Sequence, residues 1–218
     1  MRGLLFDWDG TLLDSKALVL KVWQQVARDR GKSVEEEQFG NLIGLVPRDM
    51  AVALFPEEDA SGIDQIIELR RRYYNGFYKK AAAFPEAEEF LGYLSRNSYK
   101  MAIITSNTSE NVNAKLKDFG WLSYFDCVIG ADVVPDGKPS ARIVLEAARR
   151  LGLRADACCV VGDAQYDIQA GKSAGAATIL VCREQQRQPQ LRRCNPDYMV
   201  GHLLEISRIL EDSWKSGD

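Results

Sequence analysis

Four short stretches of this chain carry side chains whose types and spacing could do chemistry. The first, LLFDWDGTLLD at Leu4 to Asp14, sets two carboxylates, Asp7 and Asp9, one residue apart directly after an apolar run. Like charges repel and burial of a carboxylate is costly, so a cation is needed to make the arrangement worthwhile. Successive strand residues point to opposite faces, so Asp7 and Asp9 share a side and Trp8 points away. Gly10 then allows a turn, and Thr11 is expected to bring a hydroxyl and a backbone donor to the mouth of the site.

The second stretch, CCVVGDAQYD, sets Asp163 just past an apolar run and Asp167 four residues later, on the first turn of a helix. Alone, Asp163 fits a helix N-cap as well as a metal ligand. Together with Asp7 and Asp9 it supplies hard oxygen ligands from neighbouring strand ends, which suit Mg²⁺, a cation that takes a few carboxylates and keeps waters for substrate oxygens to replace. The third stretch, AIITSN, reads alone as an N-cap or a Ser/Thr turn, but it also offers Thr105, Ser106 and Asn107 as uncharged donors, and the helix start behind them adds free N–H groups suited to phosphoryl oxygens. In the fourth, VVPDGKPSARI, Lys138 lies in a turn marked by Gly137 and Pro139, from which its ammonium can reach the carboxylates and a bound phosphate.

These residues need a scaffold that brings distant strand ends together. Buried-strand runs recur at Gly3 to Phe6, Met101 to Ile104, Asp126 to Ile129, Cys158 to Val161 and Ala177 to Val181, with a weaker one at Tyr198 to Val200. Between them lie segments of helical spacing, such as Phe90, Leu91 and Leu94 after Pro85, or Ile143, Val144, Ala147, Ala148 and Leu151 before Gly152. Alternation of this kind predicts an α/β fold with a doubly wound parallel sheet, which binds ligands at the carboxyl ends of its strands. It fails only between Asp14 and Ala83, where no strand is expected and helical stretches run over Ala17–Arg30, Val34–Ile43, Arg48–Phe55 and Ile63–Tyr78. The expected organisation is a core of residues 1–14 and 82–218 with residues 15–81 inserted as a helical cap.

The four stations DWDGT, ITSN, DGKP and GDAQYD resemble the haloacid dehalogenase superfamily of aspartate-nucleophile hydrolases, in order and spacing over nearly the whole chain. The insert after DWDGTLLDS resembles that superfamily's helical cap, and GLVPRD at Gly44 to Asp49 resembles the cap of its phosphoglycolate phosphatase-like branch. The resemblance implies that Asp7 takes a phosphoryl group as an aspartyl-phosphate, and that Asp9 protonates the leaving alkoxide and then activates water. It implies that Thr105 holds a phosphoryl oxygen and that Lys138 offsets charge. It also implies that Mg²⁺ is held by the Asp7 carboxylate, the Asp9 backbone carbonyl and Asp163, with Asp167 further out.

Gly10, Ser106 and Asn107 would line the substrate. Arg48, in the GLVPRD turn, is the cap candidate for a substrate carboxylate or second phosphate. True dehalogenases lack an acid at the position of Asp9, so its presence favours an oxygen leaving group. Ala164 and Gln165 depart from the small hydroxyl residue often found after Asp163. No cap lysine matches the Schiff-base residue of the phosphonate-cleaving relatives.

The implied activity is a Mg²⁺-dependent phosphatase acting on a small phosphorylated metabolite, phosphoglycolate-like or a sugar phosphate. A β-phosphoglucomutase-like phosphomutase would use the same stations, and a non-catalytic binding or regulatory module would be expected to have lost one. Composition narrows the partners. The chain of 218 residues has 28 basic against 31 acidic side chains, a net charge of -3, which supplies no field for nucleic acid. The basic clusters RRRYY (Arg70 to Tyr74) and REQQRQPQLRR (Arg183 to Arg193) read as solvated faces.

No apolar run approaches the roughly 20 residues that span a bilayer, and no charged leader with a cleavage site precedes LLF. A cytoplasmic location and reduced, mostly buried cysteines are therefore expected. A monomer and a homodimer are both compatible with the sequence. The tripeptide GKS, at Gly31 and again at Gly171, is not a P-loop, because the glycine required five positions earlier is Val26 or Tyr166. The only histidine, His202, reads as a helix-start residue with no nucleophile nearby. Trp23, Tyr73, Tyr74, Phe77 and Tyr78 lie at helical spacing and read mostly as cap core.

Overall fold

A computed structural model describes residues 2–40, 42, 45, 47–134, 136–184 and 188–215. Its strands are β1 (Gly3–Phe6), β2 (Leu13–Asp14), β3 (Ala82–Ala83), β4 (Lys100–Ile104), β5 (Cys127–Ile129), β6 (Cys158–Gly162), β7 (Ala177–Val181) and β8 (Tyr198–Val200). Its helices are α1 (Lys16–Asp29), α2 (Glu36–Gly40), α3 (Pro47–Leu54), α4 (Ala60–Tyr78), α5 (Ala87–Arg96), α6 (Ser109–Phe119), α7 (Arg142–Leu151), α8 (Gln165–Ala174), α9 (Gln188–Arg192) and α10 (Glu205–Lys215).

Six strands form one sheet in the order β5-β4-β1-β6-β7-β8, and every pairing is parallel. Alternate residues feed two cores. Leu4 and Phe6 join Met101, Ile103, Cys159 and Val161 on one face, while Leu5 joins Ala102, Ile104 and Val160 on the other. Burial on both faces is why these strands read as unbroken apolar runs. β1 lies between β4 and β6, so the ends of the three strands that precede the DWDGT, TSN and GDAQYD segments are neighbours.

The helical stretch α1–α4 has a core of its own, in which Trp23 and Val26 meet Phe39, Met50, Leu54, Phe55, Ile63 and Ile66. α4 begins at Asp59, whose carboxylate accepts from the Gly62 N–H at 2.8 Å. Its buried stripe, Ile63, Ile66, Tyr74 and Tyr78, follows helical spacing.

The expectation of no strand in this region needs correction at its edges. β2 and β3 pair antiparallel, Leu13 opposite Ala83 and Asp14 opposite Ala82, tying together the two points where the chain leaves and re-enters the sheet. Two-residue strands carry no periodic signal, so only their partners reveal them. Of the helix expected over Val34–Ile43, the described residues show α2, and Asn41, Ile43, Gly44 and Val46 lie outside the described residues, as do Gln185, Gln186 and Arg187. None of the five cysteines is in a disulfide; Cys158, Cys159 and Cys182 are buried and Cys127 and Cys194 half-buried. No helix among the described residues is long and apolar enough to cross a membrane.

Candidate active site

The turn after β1 is built to turn a main-chain corner against an acidic wall. Gly10 has φ +89°, and a Cβ there would stand 2.5 Å from Asp163 Oδ2, so only glycine lets the DWDGT turn approach β6 this closely. Gly10→Ala is expected to cost about 1–3 kcal/mol of stability and to push Asp163 out of place. Urea melts, together with a titration of divalent-cation affinity, check both effects.

Lys138 is buried and bridges two carboxylates, donating to Asp7 Oδ1 and, at 2.7 Å, to Asp167 Oδ1. The other Asp167 oxygen accepts from the Ala164 N–H at 3.0 Å, which supplies the helix-start contact that Ala164 cannot make with its own side chain. Asp7, Asp163 and Asp167 are all buried and offer oxygens within 4.8 Å of one another. Three clustered carboxylates against one ammonium leave an excess of negative charge. The donor set therefore fits a hard divalent cation.

The electrostatics point the same way. Burial pushes the Asp7 carboxyl well above the usual carboxylate range; Lys138 opposes this, and the neighbouring Asp167 and Asp163 add to it. Burial by itself would lower the Lys138 ammonium, but Asp167 and Asp7 outweigh it and hold the group above the usual lysine range.

Asp9 faces elsewhere. Its carboxylate lies outside the acidic cluster and accepts from Ser15 Oγ at 2.5 Å, with Tyr74 Oη at 3.4 Å and Asn107 Nδ2 at 3.5 Å. Burial raises its carboxyl above the ordinary range, and the Ser15 hydrogen bond and the Arg70 charge partly oppose that. Trp8 points away into the core and donates from Nε1 to Tyr78 Oη at 2.6 Å, while Tyr78 stacks on Tyr74 with centroids 4.8 Å apart. The residue between the two aspartates thus braces, through Tyr78, the Tyr74 that reaches Asp9.

Thr105 is buried at the end of β4; its Oγ1 accepts from the Asn107 N–H at 3.0 Å, so its own proton can go to a ligand. The Asn107 amide donates to Tyr74 Oη at 2.5 Å, so it braces the Tyr74–Asp9 contact as well as lining the cleft. Gly10, Ser106, Asp7, Asp9, Thr105, Lys138 and Asp163 all line one cleft, the concave kind of site in which small molecules bind.

Two expectations need correction. Arg48 is absent from this cleft; it lies on the exposed side of α3 and donates to Asp64 at 2.6 Å, while its neighbours Pro47 and Met50 turn inward. On a helix, adjacent residues point about 100° apart, so an inward Pro47 does not carry Arg48 with it. Thr11 is fully buried with its N–H directed to Trp8 O, not at the mouth.

Residues that sequence reasoning missed are Ser15, the inward Arg70 and Tyr74, and Arg183. The solvated-face reading holds for Arg71 and Arg72, which are exposed, but Arg70 falls on the inward stripe of α4 and lines the cleft. Arg183 donates to the carbonyls of Gly10 and Thr11, each at 3.3 Å, and to Glu86 at 2.8 Å, and its guanidinium stacks on Phe84. The stripe Ile63, Ile66, Tyr74 and Tyr78 was a signal for Arg70. Arg183 had none, because its partners are far off along the chain. Phe77, grouped with the cap core, is exposed.

Residues 4–181 match the family described as haloacid dehalogenase-like hydrolase. A phosphoglycolate phosphatase of Aquifex aeolicus is 32% identical over 216 residues, covering 97% of this chain and 98% of that protein. The pyrophosphatase PpaX of Oceanobacillus iheyensis is 26% identical over 218 residues, covering 98% and 99%. The β-phosphoglucomutase structure from Clostridium difficile superposes with a TM-score of 0.83 at 19% identity, covering 97% of this chain and 96% of that one. The chain belongs to the haloacid dehalogenase-like hydrolase family, on its phosphoglycolate phosphatase-like branch, and is an enzyme of the phosphatase class.

Proposed function

We propose that the protein is a Mg²⁺-dependent phosphatase that hydrolyses a small organic phosphate ester, with phosphoglycolate or a sugar phosphate as the model substrates, through a phosphoryl group carried on Asp7. The observation that carries this reading is the division of labour between the two aspartates. Asp7 is tied to Lys138 in the acidic cluster, whereas Asp9 is held outside it by Ser15.

In the first step an Asp7 oxygen forms a bond to phosphorus as the bond to the leaving oxygen breaks, and Asp9, starting as the acid, gives its proton to that oxygen. The upward push on the Asp9 carboxyl favours the protonated start. In the second step Asp9, now a carboxylate, takes a proton from water, the water oxygen bonds to phosphorus, and the bond to Asp7 breaks to release orthophosphate. Lys138 faces the charge that builds on Asp7 and the phosphoryl oxygens, and the Thr105 hydroxyl donates to one of those oxygens. A divalent cation held by oxygens of Asp7, Asp163 and Asp167 would supply further positive charge and keep Asp7 ionised.

The test is orthophosphate release from a panel of small phosphate esters by protein stripped with EDTA, with and without added Mg²⁺. Release is expected only with the cation. Saturating Mg²⁺ should also raise the unfolding free energy, by about 2.7 kcal/mol at a hundredfold excess over its Kd. Release that is indifferent to EDTA and Mg²⁺ would remove the metal from the reading, and an isomerised sugar phosphate without free phosphate would make the protein a phosphomutase.

A further inference from the structure

Three cationic side chains line the cleft among the described residues: Lys16, Arg70 and Lys138. Lys16 is paired with Glu184, and Lys138 with Asp7 and Asp167. Arg70 has no ion pair among the described residues, and its Nε is sealed from solvent without a hydrogen-bond partner. A buried guanidinium N–H left unpaired is costly, and such groups in native proteins mark a missing ligand or water.

The group is also fixed in place. It comes from the middle of α4, a rigid element, and lies over the Tyr74 ring at 4.6 Å and within 5.7 Å of the Trp23 ring. The rest of the cleft's cap wall is largely apolar, built from Trp23, Phe39, Leu45, Pro47 and Met50. A planar fork of donors in an otherwise apolar wall, in the same cleft as the phosphoryl-handling residues and beside the Tyr74 that reaches Asp9, is matched to a carboxylate or phosphate.

We propose that Arg70 is the specificity-determining residue of this cleft and binds a second anionic group, a carboxylate or a second phosphate, on the leaving-group side of the substrate. This rests on the phosphatase reading above and deepens it. The preferred substrates are then short phosphate compounds with an anion at both ends, and neutral esters are poor ones.

The test compares wild type with Arg70→Met and Arg70→Lys, using 2-phosphoglycolate for the carboxylate, pyrophosphate for the second phosphate and p-nitrophenyl phosphate as the ester without a second anion. The ratio of kcat/KM for the preferred substrate with a second anionic group to that for p-nitrophenyl phosphate is expected to fall about tenfold to a hundredfold in Arg70→Met, chiefly through KM. Arg70→Lys should recover part of it. The arm that loses more, phosphoglycolate or pyrophosphate, identifies the anion. An unchanged ratio overturns the proposal, as does an equal loss on all three compounds, which would assign Arg70 to holding Asp9 and the cap.

A binding measurement separates this proposal from the phosphatase reading. Phosphonoacetate and methylphosphonate are titrated by calorimetry into Asp7→Asn protein with and without Arg70→Met. If no ester is hydrolysed by wild type but phosphonoacetate is preferred in an Arg70-dependent way, Arg70 stands and the hydrolytic reading falls. Hydrolysis with no Arg70 dependence in either assay overturns Arg70 alone, and neither hydrolysis nor binding overturns both.

Discussion

Asp7→Asn protein should release phosphate at least about a thousandfold more slowly than wild type while melting, in EDTA at neutral pH, at the same temperature or higher. The amide is nearly isosteric with the carboxylate and can still accept from Lys138, but it cannot form an acyl-phosphate. The stability half of the prediction follows from charge. Burial, with Asp167 and Asp163 adding to it, raises the folded-state carboxyl of Asp7 above its unfolded value even against Lys138. A carboxyl raised in this way binds its proton more tightly when folded, so stability falls as pH rises from the unfolded value through the folded one. The amide removes that loss, and Lys138 keeps Asp167 as a partner. Urea melts at pH 4 and pH 8 in EDTA should show a smaller loss of stability with rising pH in the variant. Retention of more than a few per cent of the wild-type rate would remove Asp7 from the nucleophile's role.

Residues such as Asp7 are marked in the sequence by their spacing. Asp7, Asp9, Lys138 and Asp163 are legible because each follows a buried strand or sits in a marked turn, and a parallel sheet collects strand ends at one edge. The parallel order itself follows from apolar runs such as Leu4–Phe6 and Cys158–Val161, which only two-sided burial explains.

The helical segment α1–α4 is different. Its elements are amphipathic helices, and adjacent positions on a helix diverge, so placing the GLVPRD turn at the cleft does not say whether Pro47 or Arg48 enters it. Arg70 was hidden for the complementary reason. In composition RRRYY is a charged cluster, and only registration against Ile66 and Tyr74 separates the inward arginine from the exposed Arg71 and Arg72. Arg183, clamping the carbonyls of Gly10 and Thr11 from a loop after β7, depends on a packing that no local pattern encodes.

Lys138→Met should be as damaging to turnover as Asp7→Asn but opposite in its effect on stability. Removing one partner of a buried ion pair strands the others, at a cost of about 3–5 kcal/mol. Here Asp7 and Asp167 would confront each other and Asp163 with no ammonium between them. The lysine's folded-state value is raised, so its own contribution is fully present below the ordinary lysine range and is lost only as pH climbs through the higher folded value. Between pH 5 and pH 8 the wild-type contribution of Lys138 is therefore constant, and any pH dependence of the difference between the proteins comes from the stranded carboxylates. Asp7, raised by burial and now without the ammonium that opposed it, binds its proton more tightly in the folded variant than in its unfolded chain, so the variant regains stability as pH falls. The gap in urea-melt free energy should be widest at pH 8 and narrower at pH 5, where the variant also has its best chance of folding. Millimolar Mg²⁺ at pH 8 should narrow the gap as well, since a cation among the same three oxygens replaces the missing charge. A gap equal at both pH values and indifferent to Mg²⁺ would make Lys138 a packing residue, whereas a gap closed by either proton or metal would identify it as the counter-charge that lets three carboxylates share one strand-end pocket.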